Sequence, residues 1–383
     1  FASNQSAYSG GEIHYFYTAT SPLFGGAIQP GQDYLRRIVY TNFGEFTSKN
    51  TAFYIQDNWD ITDRFQLSLG LRNDRFQNSN ANGDVFTDLK NQWAPRVGAS
   101  FVVTGTGNTQ LSAFYGRFYL PVAANTNIRM AGNEQYFQEY YLYTGSLLDP
   151  QYGGTPISRT VFSDTSADTV DPGALVSQNV KPQYEDQFIL GIEQRLGDWN
   201  LALKGVYRNL ASVLEDTDLG QYAIGAYCSD NLAACGGETS LDVGSGGYVL
   251  LNPGKDAIIN VAAQGGYEGG VLTIPAEYVD LPKAKREYKA LEFSFEKAWN
   301  GRFGLSGSYT LAWSKGNYEG GVKSDNGQDD NGLTQDFDEP GWMDGAYGYL
   351  PNDRRHSFKL FGSYALTDDI LIGTNIRVSS PRK

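Results

Sequence analysis

The chain has 383 residues, rich in Gly (45), Tyr (26) and Phe (21) but poor in Met (2) and Cys (2), with a formal net charge of -13. Such a composition, at a mean hydropathy of -0.41, favours many strands and turns over helices. No run of roughly twenty apolar residues is present, so helical membrane spanning is excluded, whereas a membrane barrel, whose alternate residues face water, is not; the acidity disfavours a nucleic-acid partner.

Residues 1–50 read as a strand pair with a loop between: Ile13, Tyr15 and Tyr17 alternate, Tyr34 to Tyr40 is strand-like, and Ser21-Pro22 and Gln29-Pro30-Gly31 supply turns. From Thr51 the alternation is sustained. Phe53, Ile55, Trp59 and Ile61 form an apolar face broken only by Asp57. After the turn Thr62-Asp63-Arg64, Phe65, Leu67, Leu69 and Leu71 oppose Gln66, Ser68, Gly70 and Arg72. Period two on both arms predicts a long hairpin with one apolar and one polar face.

The same unit recurs. A second hairpin, around Gly105-Thr106-Gly107, is less regular, because Phe114 and Phe118 fall on its polar side. In the next, Phe188, Leu190 and Ile192 precede Gly197-Asp198, and Leu201, Leu203 and Tyr207 follow it. Leu291, Phe293, Phe295 and Trp299 precede Asn300-Gly301, with Phe303, Leu305, Tyr309 and Leu311 after it. Finally Phe358, Leu360 and Tyr364 lead into Thr367-Asp368-Asp369, and Ile370, Ile372, Ile376 and Val378 lead out. Arms of about nine or more residues suit strands that cross a bilayer at a tilt.

Between these hairpins lie three long segments, at about 120–180, 210–285 and 315–353, and a moderate loop from Phe76 to Trp93, while the turns at 62–64, 105–108, 197–198, 300–301 and 367–369 are short. That asymmetry predicts an antiparallel transmembrane β-barrel wall over 51–383, with short periplasmic turns and long extracellular loops. Leu67, Leu69, Leu71, Leu203, Leu305 and Ile372 are then expected to face outer-membrane lipid, and Arg72, Lys204, Arg208, Glu292 and Arg377 the lumen. There the charged residues either tune solute passage, contact a plug, or only solvate the interior. Trp59, Trp199 and Trp299 beside the turns, and Tyr207, Tyr309 and Trp313 toward the loops, suit two interfacial girdles.

Cys228 and Cys235, in a polar Gly-rich stretch, are expected to form a local disulfide in an oxidising compartment, free thiols being the alternative. His14 and His356 are the only histidines and are far apart, and no serine-nucleophile elbow, phosphate loop or zinc spacing is present, so neither a catalytic residue, a metal site nor a cofactor is expected. The run Asp325 to Gly332 lacks the distal Glu of a calcium loop and reads as solvated. Asn352, Asp353, Arg354, Arg355 and His356, directly before a strand, are expected to fix how a loop re-enters the wall.

The blocks FYIQDNWDITDRFQLSLGLRNDRF, QWAPRVGASF with LSAFYGRFY, KPQYEDQFILGIEQRL, and LPNDRRHSFKLFGSYALTDD with LIGTNIRVSS, in order over 51–383, together resemble the barrel of TonB-dependent outer-membrane receptors, Oar-like, OmpA-related branch. The resemblance implies a barrel of about 22 strands, closed by an N-terminal plug and energised through TonB. On that pattern the chain is expected to be a middle-to-late part of the barrel, about ten strands or a few more, without plug or TonB box. The function so implied is uptake of a scarce solute. The alternatives are an adhesive or scaffolding surface protein of the same fold and, more remotely, a soluble multi-sheet domain.

Overall fold

A computed structural model describes residues 2–103, 105, 107–131, 133–143, 145, 154–164, 171–243, 247–320, 336–339 and 341–382. Its strands and helices, in chain order, are β1 (Ala2–Thr18), β2 (Asp33–Thr62), β3 (Phe65–Ser79), β4 (Val85–Val102), β5 (Thr109–Leu120), α1 (Ala124–Ala131), β6 (Asn133–Leu142), β7 (Ser158–Asp164), α2 (Pro172–Leu175), β8 (Gln183–Leu196) and β9 (Trp199–Ser212). They continue with β10 (Glu215–Asp218), α3 (Gly225–Asp230), β11 (Tyr248–Leu251), β12 (Ala257–Val261), β13 (Gly270–Ile274), α4 (Ala276–Val279), β14 (Arg286–Lys297), β15 (Phe303–Gly316), β16 (Gly348–Tyr349), β17 (His356–Ala365) and β18 (Leu371–Ser379). No described helix is long and apolar enough to cross a membrane.

The wall is one antiparallel sheet in the order β18-β17-β15-β14-β9-β8-β5-β4-β3-β2. The tight reversals after β2, β4, β8, β14 and β17 all lie on one margin of it, as the alternation predicts. Residues directly opposed in neighbouring strands share a face, so the register can be followed across the sheet. One row reads Phe65, Phe101, Leu111, Ile192, Leu203, Phe293, Tyr309, Phe358 and Val378. The row beside it, on the other face, reads Gln66, Ser100, Ser112, Gly191, Lys204, Glu292, Thr310 and Ser357. A slip of one residue in any strand would exchange the two. The polar face is concave, with a cleft of about 660 Å³ lined in part by Asn200, Lys204, Ser294, Glu296 and Ser308. The apolar face is bare: Ile55 is 73% exposed and Leu190 68%. Asp57, the one polar side chain among Phe53, Ile55, Trp59 and Ile61, accepts from the indole N–H of Trp59.

β2 runs from Asp33 past residue 50 to Thr62 without a break. Its turn-side half pairs with β3, and its outer half pairs with β1 and with β6. The segment at 120–180, aperiodic in sequence, thus contributes the hairpin β6–β7, whose β6 pairs along the outer half of β2.

The larger part of the buried core lies outside the wall. It lies in the long segments, where Leu219, Ile224, Val249, Leu251, Ile259, Ile274 and Val279 from 210–285 close around Tyr318 and Phe337 from 315–353. A smaller cluster joins Phe86 and Leu89 of β4 to Val122, Met130, Leu175 and Leu250. We refer to these packed segments together as the cap.

Candidate functional site

Arg72, Lys204, Arg208, Glu292 and Arg377 all lie on the concave face, but only Lys204, Arg208 and Glu292, on the paired strands β9 and β14, are neighbours. Lys204 stands directly opposite Glu292 and 3.6 Å from Glu193. Arg208 reaches Glu185 at 4.0 Å and lies over the Tyr288 ring at 5.6 Å. Arg377 lies over Phe361, and Arg72 donates its Nε–H to both oxygens of Asp74 at 2.9 Å. On this face most cations are matched by acids or ring faces, which makes a hydrated, weakly charged lining suited to polar solutes.

One part of that face is apolar. Phe114, Ile189, Val206, Ala290 and Ala312 follow one another across β5, β8, β9, β14 and β15. Val206, Ala290 and Ala312 are buried with Ile189 and Tyr288 against them. Phe114 and Phe118 pack 6.4 Å apart, and Arg96 sits over Phe118. Alternation alone leaves these phenylalanines misplaced. The signal that accommodates them is Gly116, where a Cβ would stand 2.8 Å from the Phe114 ring.

Leu67, Leu69, Leu71, Leu203, Leu305 and Ile372 all lie on the opposite, convex face, by the pairings Leu67–Trp59, Leu69–Val97, Leu203–Phe293 and Ile372–Tyr364. At the turn margin Lys297 bonds Asp198 at 2.9 Å and lies over Trp199 and Phe303, a cation drawn back from hydrocarbon toward water.

At the opposite margin the segment Asn352 to His356 seats the loop on β15 and β18. Asp353, buried, accepts from Ser314 N–H at 2.7 Å and from Arg355 at 3.2 Å. The Arg355 guanidinium lies between Trp313 and Tyr349, 5.0 and 4.9 Å from their centroids. Arg354 donates to Ser380 O, and His356 Nδ1 lies 2.7 Å from the Tyr309 hydroxyl.

In the cap Cys228 and Cys235 are disulfide-bonded, with Cα atoms 5.5 Å apart, inside the main core. β10 pairs with β11, and its Asp218 N–H and Thr217 hydroxyl bond the backbone at Asp338 and Phe337. Along that seam burial pushes the Tyr248 hydroxyl up to about 12, with Asp338 and Asp218 adding to it. Burial, then the charge of Glu215, raises Tyr318 well above its ordinary value. Glu339 is raised by burial and by Asp218. His14 meets Glu12, whereas His356 meets Tyr309. No group of His, Cys, Asp or Glu that could hold a metal ion occurs among the described residues. The run Asp325 to Gly332 lies outside them.

Residues 77–368 match the family model of the outer membrane beta barrel domain, and the chain belongs to that family. The described sheet, with its bare apolar face, is therefore wall of an outer-membrane barrel. Over 366 residues the chain is 24% identical to the TonB-dependent transporter Oar of Myxococcus xanthus, the match covering 89% of this chain and 30% of that protein. The chain spans under a third of that relative's length. Among solved structures, the alcaligin outer-membrane receptor FauA of Bordetella pertussis aligns with all of the chain and 48% of its own, at 11% identity and a TM-score of 0.43. The ferric-catecholate import receptor Fiu of E. coli K12 aligns with 98% of the chain and 44% of its own, at 13% identity and a TM-score of 0.44. At these scores the likeness adds nothing to the family assignment. These relatives are receptors and transporters, not enzymes.

Proposed function

We propose that this wall belongs to a TonB-dependent transporter that takes up a scarce polar solute through its lumen. The in-register polar row, from Gln66 through Lys204 and Glu292 to Ser357, carries the reading, because it makes one continuous wet surface across the sheet. Solute is captured on the outside by the cap and then passes along Lys204, Arg208 and Arg377. In the full-length protein a plug fills the lumen, and coupling through TonB moves it; both follow from the resemblance to Oar-like receptors. The test compares a deletion strain with the complemented strain by profiling what each removes from defined medium, with and without a protonophore. At least one solute should be depleted by the complemented cells alone, and only while the proton-motive force is intact. Depletion that survives the protonophore, or no difference between strains, would overturn transport, and loops that still bind an envelope partner would then favour the scaffolding role.

A further inference from the structure

On the convex face, at the loop end of the lipid-facing surface, Lys49, Arg75 and Lys90 open onto one cleft of about 250 Å³, together with Asn73, Asn91 and, at its turn-side edge, Phe53. The facing follows from the register. Thr51 and Phe53 oppose Arg75 and Asn73, in the same alternation as Trp59 and Leu67. Trp93, 53% exposed, lies opposite Asn73. A bulge in β4, with Asn91 at φ 57°, sets both Lys90 and Asn91 beside Arg75. The other face of these strands is closed, with Phe76, Asn78, Leu89 and Gln92 buried.

Height fixes what meets this cleft. From Phe65 at the turn to Arg75 is ten residues, which at a rise of about 3.3 Å and a tilt of about 40° spans roughly 25 Å, the height of the apolar band of such a barrel. The aromatic pair Phe53 and Trp93 therefore ends the hydrocarbon zone, and the cations begin at the headgroups of the outward leaflet. Charge points the same way. Asp88 takes Arg75 at 2.7 Å and Lys90 at 2.8 Å, so two cations share one carboxylate, while Lys49 has no ion pair among the described residues. A surplus of positive charge is thus held against lipid by a chain whose net charge is -13.

We propose that Lys49, Arg75 and Lys90 form a docking site for the phosphate of an anionic glycolipid headgroup in the outward leaflet. Asn73 and Asn91 line the cleft beside its sugar, and Phe53 and Trp93 lie along its first acyl carbons. The site rests on the outer-membrane placement of the wall and not on transport.

The experiment titrates the full-length protein in detergent with diphosphorylated lipid A, with its dephosphorylated form, and with inorganic phosphate as competitor. All variants are first checked for the heat-modifiable gel migration of a folded barrel. The triple variant Lys49→Gln, Arg75→Gln, Lys90→Gln should bind lipid A more than tenfold more weakly, since each cation at an anionic surface contributes roughly fivefold. Lys49→Gln alone, which breaks no ion pair, should weaken binding about fivefold. Asp88→Asn, which frees two cations, should tighten it, whereas a purely structural role for the Arg75–Asp88 pair would make it weaker. The dephosphorylated lipid should bind wild type no better than lipid A binds the triple variant. Unchanged binding by the triple variant, weaker binding by Asp88→Asn, an equal loss on Lys204→Gln in the lumen, or displacement by equimolar inorganic phosphate would each overturn the proposal, the last assigning the cleft to free phosphate.

Discussion

At the scale of single residues, Asp353 governs how the third long segment joins the wall. Its carboxylate answers one backbone N–H and one guanidinium in a place that water does not reach, so Asp353→Ala leaves Ser314 N–H without its acceptor. The expected cost is about 1–3 kcal/mol, read as a lower temperature of unfolding of the gel-shifted form. Tyr248 offers a pH-dependent readout in the cap. Its hydroxyl titrates near 12 when folded and near 10 when unfolded, so the folded form holds the proton more tightly. The stability this contributes is fully present below pH about 10 and is lost as pH rises through about 12. Alkaline titration followed by tyrosinate absorbance should show the cap opening within that window, and Tyr248→Phe should move the opening to higher pH.

At the scale of elements, the two faces of a strand answer differently to the same change. Leu203→Arg places a charge on the lipid face and should cost about 2–4 kcal/mol near mid-bilayer, whereas Ala202→Arg, one residue away on the concave face, should fold almost as wild type. Yield of the heat-modifiable form after refolding into vesicles separates them; equal losses would sink the assignment of faces. This part of the structure was legible because it is local: alternation in β3, β9, β15 and β18 states both strand and facing without any knowledge of partners. Phe114 and Phe118 were not legible, since their place on the concave face depends on Ile189 and Val206 in other strands and on room left at Gly116. The hairpin β6–β7 was hidden for a like reason. β6 is ordered by β2, about a hundred residues earlier, and β7 by β6, and neither carries a clean period of its own.

At the scale of the whole molecule, apolar burial is divided unevenly. The wall leaves its apolar face bare, while the cap encloses a buried core drawn from segments separated by β14 and β15. A sequence that supplies such a core in pieces as short as the four residues of β11 and the five of β12 reads as loop, which is why the cap could not be foreseen from composition or spacing. Two bodies stabilised by different means should come apart separately: the cap by loss of side-chain packing, the wall only when its strands leave the bilayer or detergent. Phe337, fully buried against Tyr318 at 6.1 Å, tests the division. Phe337→Ala should destabilise the cap by about 3–5 kcal/mol, and Cys228→Ser with Cys235→Ser by about 2 kcal/mol, the chain-entropy value for so short a loop. Limited proteolysis should then cut within 210–285 at lower temperature in both variants, while the gel shift of the wall holds at its wild-type temperature. If the gel shift falls in step with cap cleavage, the wall draws its stability from the cap and the molecule unfolds as one.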